Sequence, residues 1–287
     1  NRSQRDISAS AQSCLRKPKA IQGKINKMTE KNGYGFPESG IHKHVSQYIR
    51  SLPDLAGMTV VDVPCGDGRA THEFVRKGAV VRALDLFPEH IKVDGVKGEF
   101  ADLSEALPLP DECADYIICQ EGIEHIPNQV RVFEEFNRIL KPRGVLLLTT
   151  PNNSHVRARL AQFFLESDLL RRMPPSEIDS IWFSESASDK LYFGHLFLIG
   201  VQKLQSLATF TGFTVEERIK TDIGASSLVL SMLLYPIYLL VTFLCYLLYR
   251  DKNLHVEKTQ RRRILWERAL LNLSPKTLFC KQIFWVM

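Results

Sequence analysis

Two acids and an imidazole stand close together in Glu121-Gly122-Ile123-Glu124-His125, and a second histidine follows in Phe193-Gly194-His195-Leu196. Glu121, Glu124, His125 and His195 can converge on a divalent metal, which would orient and acidify a substrate hydroxyl. His125, with Glu124 beside it, can equally act as a metal-free general base. In a third reading Glu124 caps or pairs locally and His125 packs at the base of a pocket. Spacing alone leaves all three open.

A second constellation lies upstream, in Asp62-Val63-Pro64-Cys65-Gly66-Asp67-Gly68. Gly66 and Gly68 allow the backbone to approach a ligand closely, and Asp62 can order the turn or meet an ammonium group. Asp85 can accept hydrogen bonds from both hydroxyls of a ribose, which suits a nucleoside.

These side chains need particular elements to carry them. Thr59 to Val63 is β-rich, Arg69 to Lys77 has a helical pattern, and Val80 to Leu84 is a second β-rich run, which together make a β-α-β unit. Further strands are expected at Gly98 to Ala101, Ala114 to Cys119 and Gly144 to Thr149, with a helix from Asn128 to Leu140. A helix at Gly200 to Thr211 and a strand at Phe213 to Ile219 complete another pair. The spacing of Ile41, Val45, Tyr48, Ile49 and Leu52 predicts a leading helix. Such alternation predicts an α/β fold whose mostly parallel sheet has helices on both faces. A nicotinamide-binding domain is excluded, because the third glycine of G-x-G-x-x-G would fall at Thr71.

On the turn Asp62-Val-Pro64-Cys-Gly66-Asp-Gly68, followed in register by Asp85, Ala101-Asp102-Leu103 and Lys141-Pro142-Arg143-Gly144, the chain resembles class I S-adenosylmethionine-dependent methyltransferases. Pro64 stands where that family has its first glycine. The resemblance spans roughly Tyr34 to Ile219 and implies a Rossmann-like seven-stranded sheet. It also implies S-adenosyl-L-methionine as cofactor, with Asp102 against the adenine amino group and, in the reading where Glu124 only caps or pairs locally, Glu121 bordering the methionine end. Pro64, Cys65, Leu86, Leu103 and Gln120 would line the same site. The E-x-x-E-H group with a later histidine is similar to that of ubiquinone O-methyltransferases and of plant-type small-RNA 2'-O-methyltransferases, where those residues are metal ligands.

The remaining features bear on the acceptor. From Ile223 to Tyr249 the chain has 27 residues without Asp, Glu, Lys, Arg or His. As one helix this run would reach about 40 Å, against the ~30 Å apolar core of a bilayer. After it, eight Lys or Arg face three acids between Asp251 and Met287, which keeps that tail cytoplasmic. Thr277 to Val286 reads as a strand of the same sheet, which must lie on the catalytic side. Pro236 divides the apolar run into halves too short to cross, so a shallow hairpin or in-plane insertion is expected. A buried dimer interface is the alternative.

The formal charge of +5 is concentrated in Arg2, Arg5, Arg16, Lys17, Lys19, Lys24 and Lys27 and in Arg261-Arg262-Arg263. Either cluster could meet nucleic acid or anionic lipid. Six scattered cysteines without a C-x-x-C pair point to a reducing compartment and no disulfides. Residues 1 to 27 lack the pattern of a secretory signal, and Met28 is a candidate start.

The organisation expected is a mobile basic extension at 1–32 and a cofactor-binding domain at 33–222 with a lid near 153–195. An apolar helical insertion follows at 223–250, then a basic tail at 251–287 with the last strand. The expected function is methyl transfer to a lipid or lipid-linked acceptor (quinone, polyprenyl-sugar or glycolipid) at the inner, cytoplasmic face of a membrane. RNA 2'-O-methylation and an inactive cofactor-binding scaffold are the alternatives.

Overall fold

In the computed structural model, which describes residues 39–167, 181–183, 191–252 and 257–287, the β-rich runs join into one seven-stranded sheet. Its strands are β1 (Thr59–Asp62), β2 (Val80–Asp85), β3 (Gly98–Phe100), β4 (Ala114–Gln120), β5 (Leu140–Pro151), β8 (Glu217–Arg218) and β9 (Gln282–Val286). The order is β3-β2-β1-β4-β5-β9-β8. β1 to β5 run parallel, and β9 is antiparallel to both β5 and β8. Between β1 and β4 the winding reverses direction, which opens a crevice at the carboxyl ends of those strands.

Both sheet faces are covered, as the near-continuous apolarity of the central strands requires. Successive strand residues alternate between faces. Val60, Ile118, Leu147 and Phe284 meet α1 (Gly40–Ser51) and α2 (Arg69–Arg76) through Ile41, Val45, Ile49 and Phe74. Val61, Ile117, Leu146, Leu148 and Trp285 belong to the opposite core, with Phe133 and Phe136 of α3 (Gln129–Ile139) and Leu204 of α5 (Val201–Phe210).

Three expectations need correction. The strand foreseen over Phe213 to Ile219 shrinks to Glu217–Arg218, because it pairs only with β9 at the sheet edge. Thr277 to Phe279 belong to a short helix, α8 (Pro275–Phe279), since Pro275 at the first helical position presets φ for a turn. The break foreseen at Pro236 does not occur: α6 (Ala225–Tyr249) runs through it as one helix. The missing proline N–H removes one bond from a ladder of about twenty, which the other residues sustain.

A further helix, α7 (Lys258–Leu273), returns along α6 before α8 and β9. In the region expected to form a lid, α4 (Val156–Leu165) is followed by an antiparallel pair, β6 (Ile181–Phe183) and β7 (Leu191–Phe193). Trp182 and Phe183 therefore lie on a strand. The basic extension at 1–32 lies outside the described residues, as does part of the lid region.

Candidate active site

The turn after β1 builds one wall of the crevice. Gly66 and Gly68 have φ of +53° and +88°, in the left-handed region where a Cβ is strained. Their surroundings differ. A Cβ on Gly68 would lie 2.6 Å from Val93 Cγ2, whereas one on Gly66 would meet nothing within 4 Å. Gly68 is thus needed for packing and conformation, and Gly66 for conformation beside open space. Pro64 packs against Gly122, where an added Cβ would sit 2.5 Å from the proline Cδ.

The acids around this turn hold backbone. Asp62, 1% exposed, accepts from the amide and hydroxyl of Thr71 at 3.0 and 2.6 Å, and burial raises its pKa to about 7. Asp85 accepts from Gly66 N at 2.8 Å and Phe87 N at 2.9 Å, so each oxygen keeps one lone pair for a ligand. Asp102 accepts from the amide and hydroxyl of Ser104 at 2.9 and 2.6 Å, which shapes the turn after β3. Leu103 and Cys65 are buried and Leu86 is half-buried. Gln120, at the end of β4, contacts His42 of α1, with Nε2 and Nδ1 2.6 Å apart. Burial, then the charge of Arg69, holds the His42 imidazole below its usual pKa. Sequence reasoning missed His42, because the contact joins residues 78 positions apart.

The second wall follows β4. Glu124 is fully buried in the 3₁₀ turn Ile123–His125, and its Oε2 accepts from the Thr150 hydroxyl at 2.9 Å. Its Oε1 is buried and has no hydrogen-bond partner among the described residues. One ligand atom each from Glu124, His125 and His195 fall within 4.8 Å of one another. The two imidazole rings meet edge to face at 5.0 Å. Glu121 stands apart from this group: its Oε1 accepts from the Thr149 hydroxyl at 3.2 Å. Burial pushes both carboxyls up from the usual range, and the charge of Glu121 raises Glu124 further.

His195 is brought in from a distant segment. Gln129 donates through one amide nitrogen to Ile123 O at 2.9 Å and Phe197 O at 2.8 Å, and Phe197 N donates to Glu124 O at 3.0 Å. Gln129 was also missed, since no spacing marks it. Beyond the cluster, a cavity of about 190 Å³ lined by Asn153, Arg157, Leu198, Ser227 and Lys281 reaches the root of α6.

The residues fit both groups that the sequence implied. Open space beside Gly66 leaves room for a ligand against the turn. An orphaned carboxylate oxygen beside two imidazoles is a donor set for a borderline divalent ion, and a buried charge needs such a partner.

A family described as a methyltransferase domain matches residues 25–218, the greater part of the chain. The chain is 31% identical over 145 residues to a ubiquinone biosynthesis O-methyltransferase of Xanthomonas oryzae pv. oryzae (strain PXO99A), covering 47% of this chain and 61% of that protein. It is 35% identical over 130 residues to one of Xylella fastidiosa (strain M23), covering 41% and 50%. The matches therefore span only about half to three-fifths of those relatives. Among solved structures, an S-adenosylmethionine-dependent methyltransferase of Archaeoglobus fulgidus aligns with a TM-score of 0.49 at 13% identity, over 86% of this chain and 91% of that one. The matched stretch contains the glycine turn, Asp85, Asp102 and the Glu124 cluster, and the chain belongs to the class I S-adenosylmethionine-dependent methyltransferases, whose cofactor is S-adenosylmethionine.

Proposed function

We propose that the chain transfers a methyl group to a hydroxyl oxygen of a quinone-type or other lipid-linked acceptor at the inner, cytoplasmic face of a membrane. The observation that carries this reading is the cavity at the root of the exposed apolar helix α6, walled on its other side by Asn152 and Asn153 just past the end of β5. The similarity to ubiquinone biosynthesis O-methyltransferases supports an acceptor of the same kind.

When bound, S-adenosylmethionine supplies an electrophilic methyl on a sulfonium sulfur. The new bond is methyl to acceptor oxygen, the broken one is methyl to sulfur, and the acceptor proton must leave. The Gly66 turn, Asp85, Asp102 and Gln120 hold the donor, and alignment supplies much of the rate. In the metal-free site His125 takes the proton, with a Glu124 oxygen within 4.8 Å of one of its ring nitrogens. Glu124, His125 and His195 would hold a divalent metal, whose chemistry would be to orient and acidify the hydroxyl. Glu121, held by Thr149, borders this set.

The test is transfer of labelled methyl from S-adenosylmethionine to detergent-solubilised membrane lipid extract and, separately, to total RNA. Labelled lipid is expected. Labelled RNA without labelled lipid overturns the acceptor, and tight cofactor binding without turnover on either favours a scaffold.

A further inference from the structure

The N-terminal end of α6 and the segment after α8 are neighbours in the fold. Ile223 bridges Cys280, Gly224 N donates to Phe279 O, and Lys281 N donates to Asp222 O at 3.0 Å. The chain therefore leaves the catalytic domain along α6 and returns along α7 to the same place, where β9 joins β5.

One stripe of α6 is stitched to its neighbours by polar and aromatic contacts. Arg159 of α4 lies 5.1 Å over the Tyr238 ring, Asn272 donates to the Thr242 hydroxyl at 2.9 Å, and Tyr246 meets Trp266 at 5.4 Å. Arg261 donates to Tyr249 O at 2.9 Å. The other faces hold Val229, Met232, Leu233, Ile237, Leu240 and Leu248, each more than half exposed. On α7, Arg262, which pairs with Asp251 at 2.8 Å, and Arg263, 3.7 Å from Glu267, are exposed near the far end of the pair on the same helix as an exposed Trp266, and these surface pairs leave both guanidinium groups donors for a lipid phosphate.

We propose that α6 and α7 form a monotopic hairpin lying in one leaflet of an anionic bilayer, with α6 in the acyl region and Arg261, Arg262 and Arg263 on lipid phosphates. This rests on the membrane reading above and adds the placement and the lipid charge. Spanning conflicts with the contacts. If α6 crossed the bilayer, α7 would cross beside it with Arg261, Arg262, Arg263, Glu267 and Arg268, each strongly penalised in hydrocarbon. Lying flat leaves those groups at the headgroups, the arrangement of basic amphipathic surfaces with an interfacial tryptophan. The charge complementarity of the arginine triplet favours an anionic lipid surface over a second copy of the chain, whose triplet would repel it.

The experiment is flotation of the full chain with vesicles of phosphatidylcholine alone or mixed with phosphatidylglycerol. Binding to the mixed vesicles is expected, weakening as salt rises. R261Q/R262Q/R263Q should lower partition on the order of a hundredfold, at about a factor of five per charge. R262Q/R263Q keeps the Arg261 contact to Tyr249 and should lower it about twenty-five-fold. Depth is read from a fluorophore on the exposed Cys245 in a C14S/C113S background, using brominated lipids. Quenching about 5–10 Å below the headgroups is expected.

Quenching at the bilayer centre would overturn the flat placement and leave membrane binding intact. Failure to float at low salt, with the chain dimeric in sedimentation, would assign the apolar face to a second copy. Flotation reads no turnover, so the two proposals fail separately. Lipid methylation in detergent without flotation sinks the docking alone, and flotation without lipid methylation sinks the acceptor.

Discussion

Thr150 satisfies one oxygen of Glu124 at 2.9 Å and leaves the other buried without a partner among the described residues, on a carboxylate that reaches within 4.8 Å of the His125 and His195 nitrogens. A half-satisfied buried carboxylate is costly, and a cation is the economical remedy.

E124Q should therefore abolish divalent-metal binding while leaving the metal-free fold as stable or slightly more so at pH 8. H195A should weaken the metal without disturbing the core, because His195 is exposed. Elemental analysis and calorimetric titration with Zn²⁺ and Mn²⁺ measure this. A native chain that binds neither ion and is indifferent to chelator leaves His125 as base without metal.

The two glycines should separate conformation from binding. Gly68→Ala adds overlap with Val93 to left-handed strain and should cost about 2–4 kcal/mol of stability. Gly66→Ala should cost only about 1–2 kcal/mol for its conformation. Its methyl enters the open space where the cofactor is expected, so the Kd for S-adenosylmethionine should rise at least tenfold. Thermal melts and calorimetry on both variants check the division, and equal cofactor affinities would contradict it.

Asp62 makes stability depend on pH. Its folded pKa of about 7 lies well above that of an ordinary carboxylate, so the folded state holds its proton longer than the unfolded one. The contribution is complete below pH 4, declines as pH rises, and is gone above pH 7. D62N keeps an acceptor for Thr71 and removes the titration, so its Tm should fall less than that of the native chain between pH 5 and pH 8. An unchanged slope would show that other groups carry it.

Gln129 is a positioning residue. Q129L removes the side-chain bridge from Ile123 O to Phe197 O and leaves only the Phe197–Glu124 backbone bond between the Ile123–His125 turn and the segment after His195. Stability should fall by about 1–3 kcal/mol, and metal affinity by about 10–100-fold. A loss of stability with unchanged metal affinity would reduce Gln129 to a structural role.

Much of this was legible in the chain. β1, α2 and β2 follow from β-rich runs around a glycine turn, whereas the reversal of strand order at β4 is visible only in the fold. Asp85 was placed correctly at its strand tip, but only the fold reveals that Gly66 and Phe87 amides occupy part of its carboxylate. His42 and Gln129 act across long sequence separations, where local periodicity carries no signal. Pro236 misled for a different reason. Proline propensity is a local cost, and a long apolar ladder overrides it. The boundary at Pro275 followed the opposite rule, since proline at a helix start presets the turn.

The position of β9 inside the sheet also governs the order of assembly. β5 pairs with it through Leu147 and Val286, residues separated by most of the second half of the chain, with α6 emerging between them. During synthesis the ribosome delivers the apolar helix before the strand that closes the sheet behind it. A nascent chain thus presents its greasiest surface while its catalytic domain is still unsealed, and a nearby membrane or chaperone would capture that helix first.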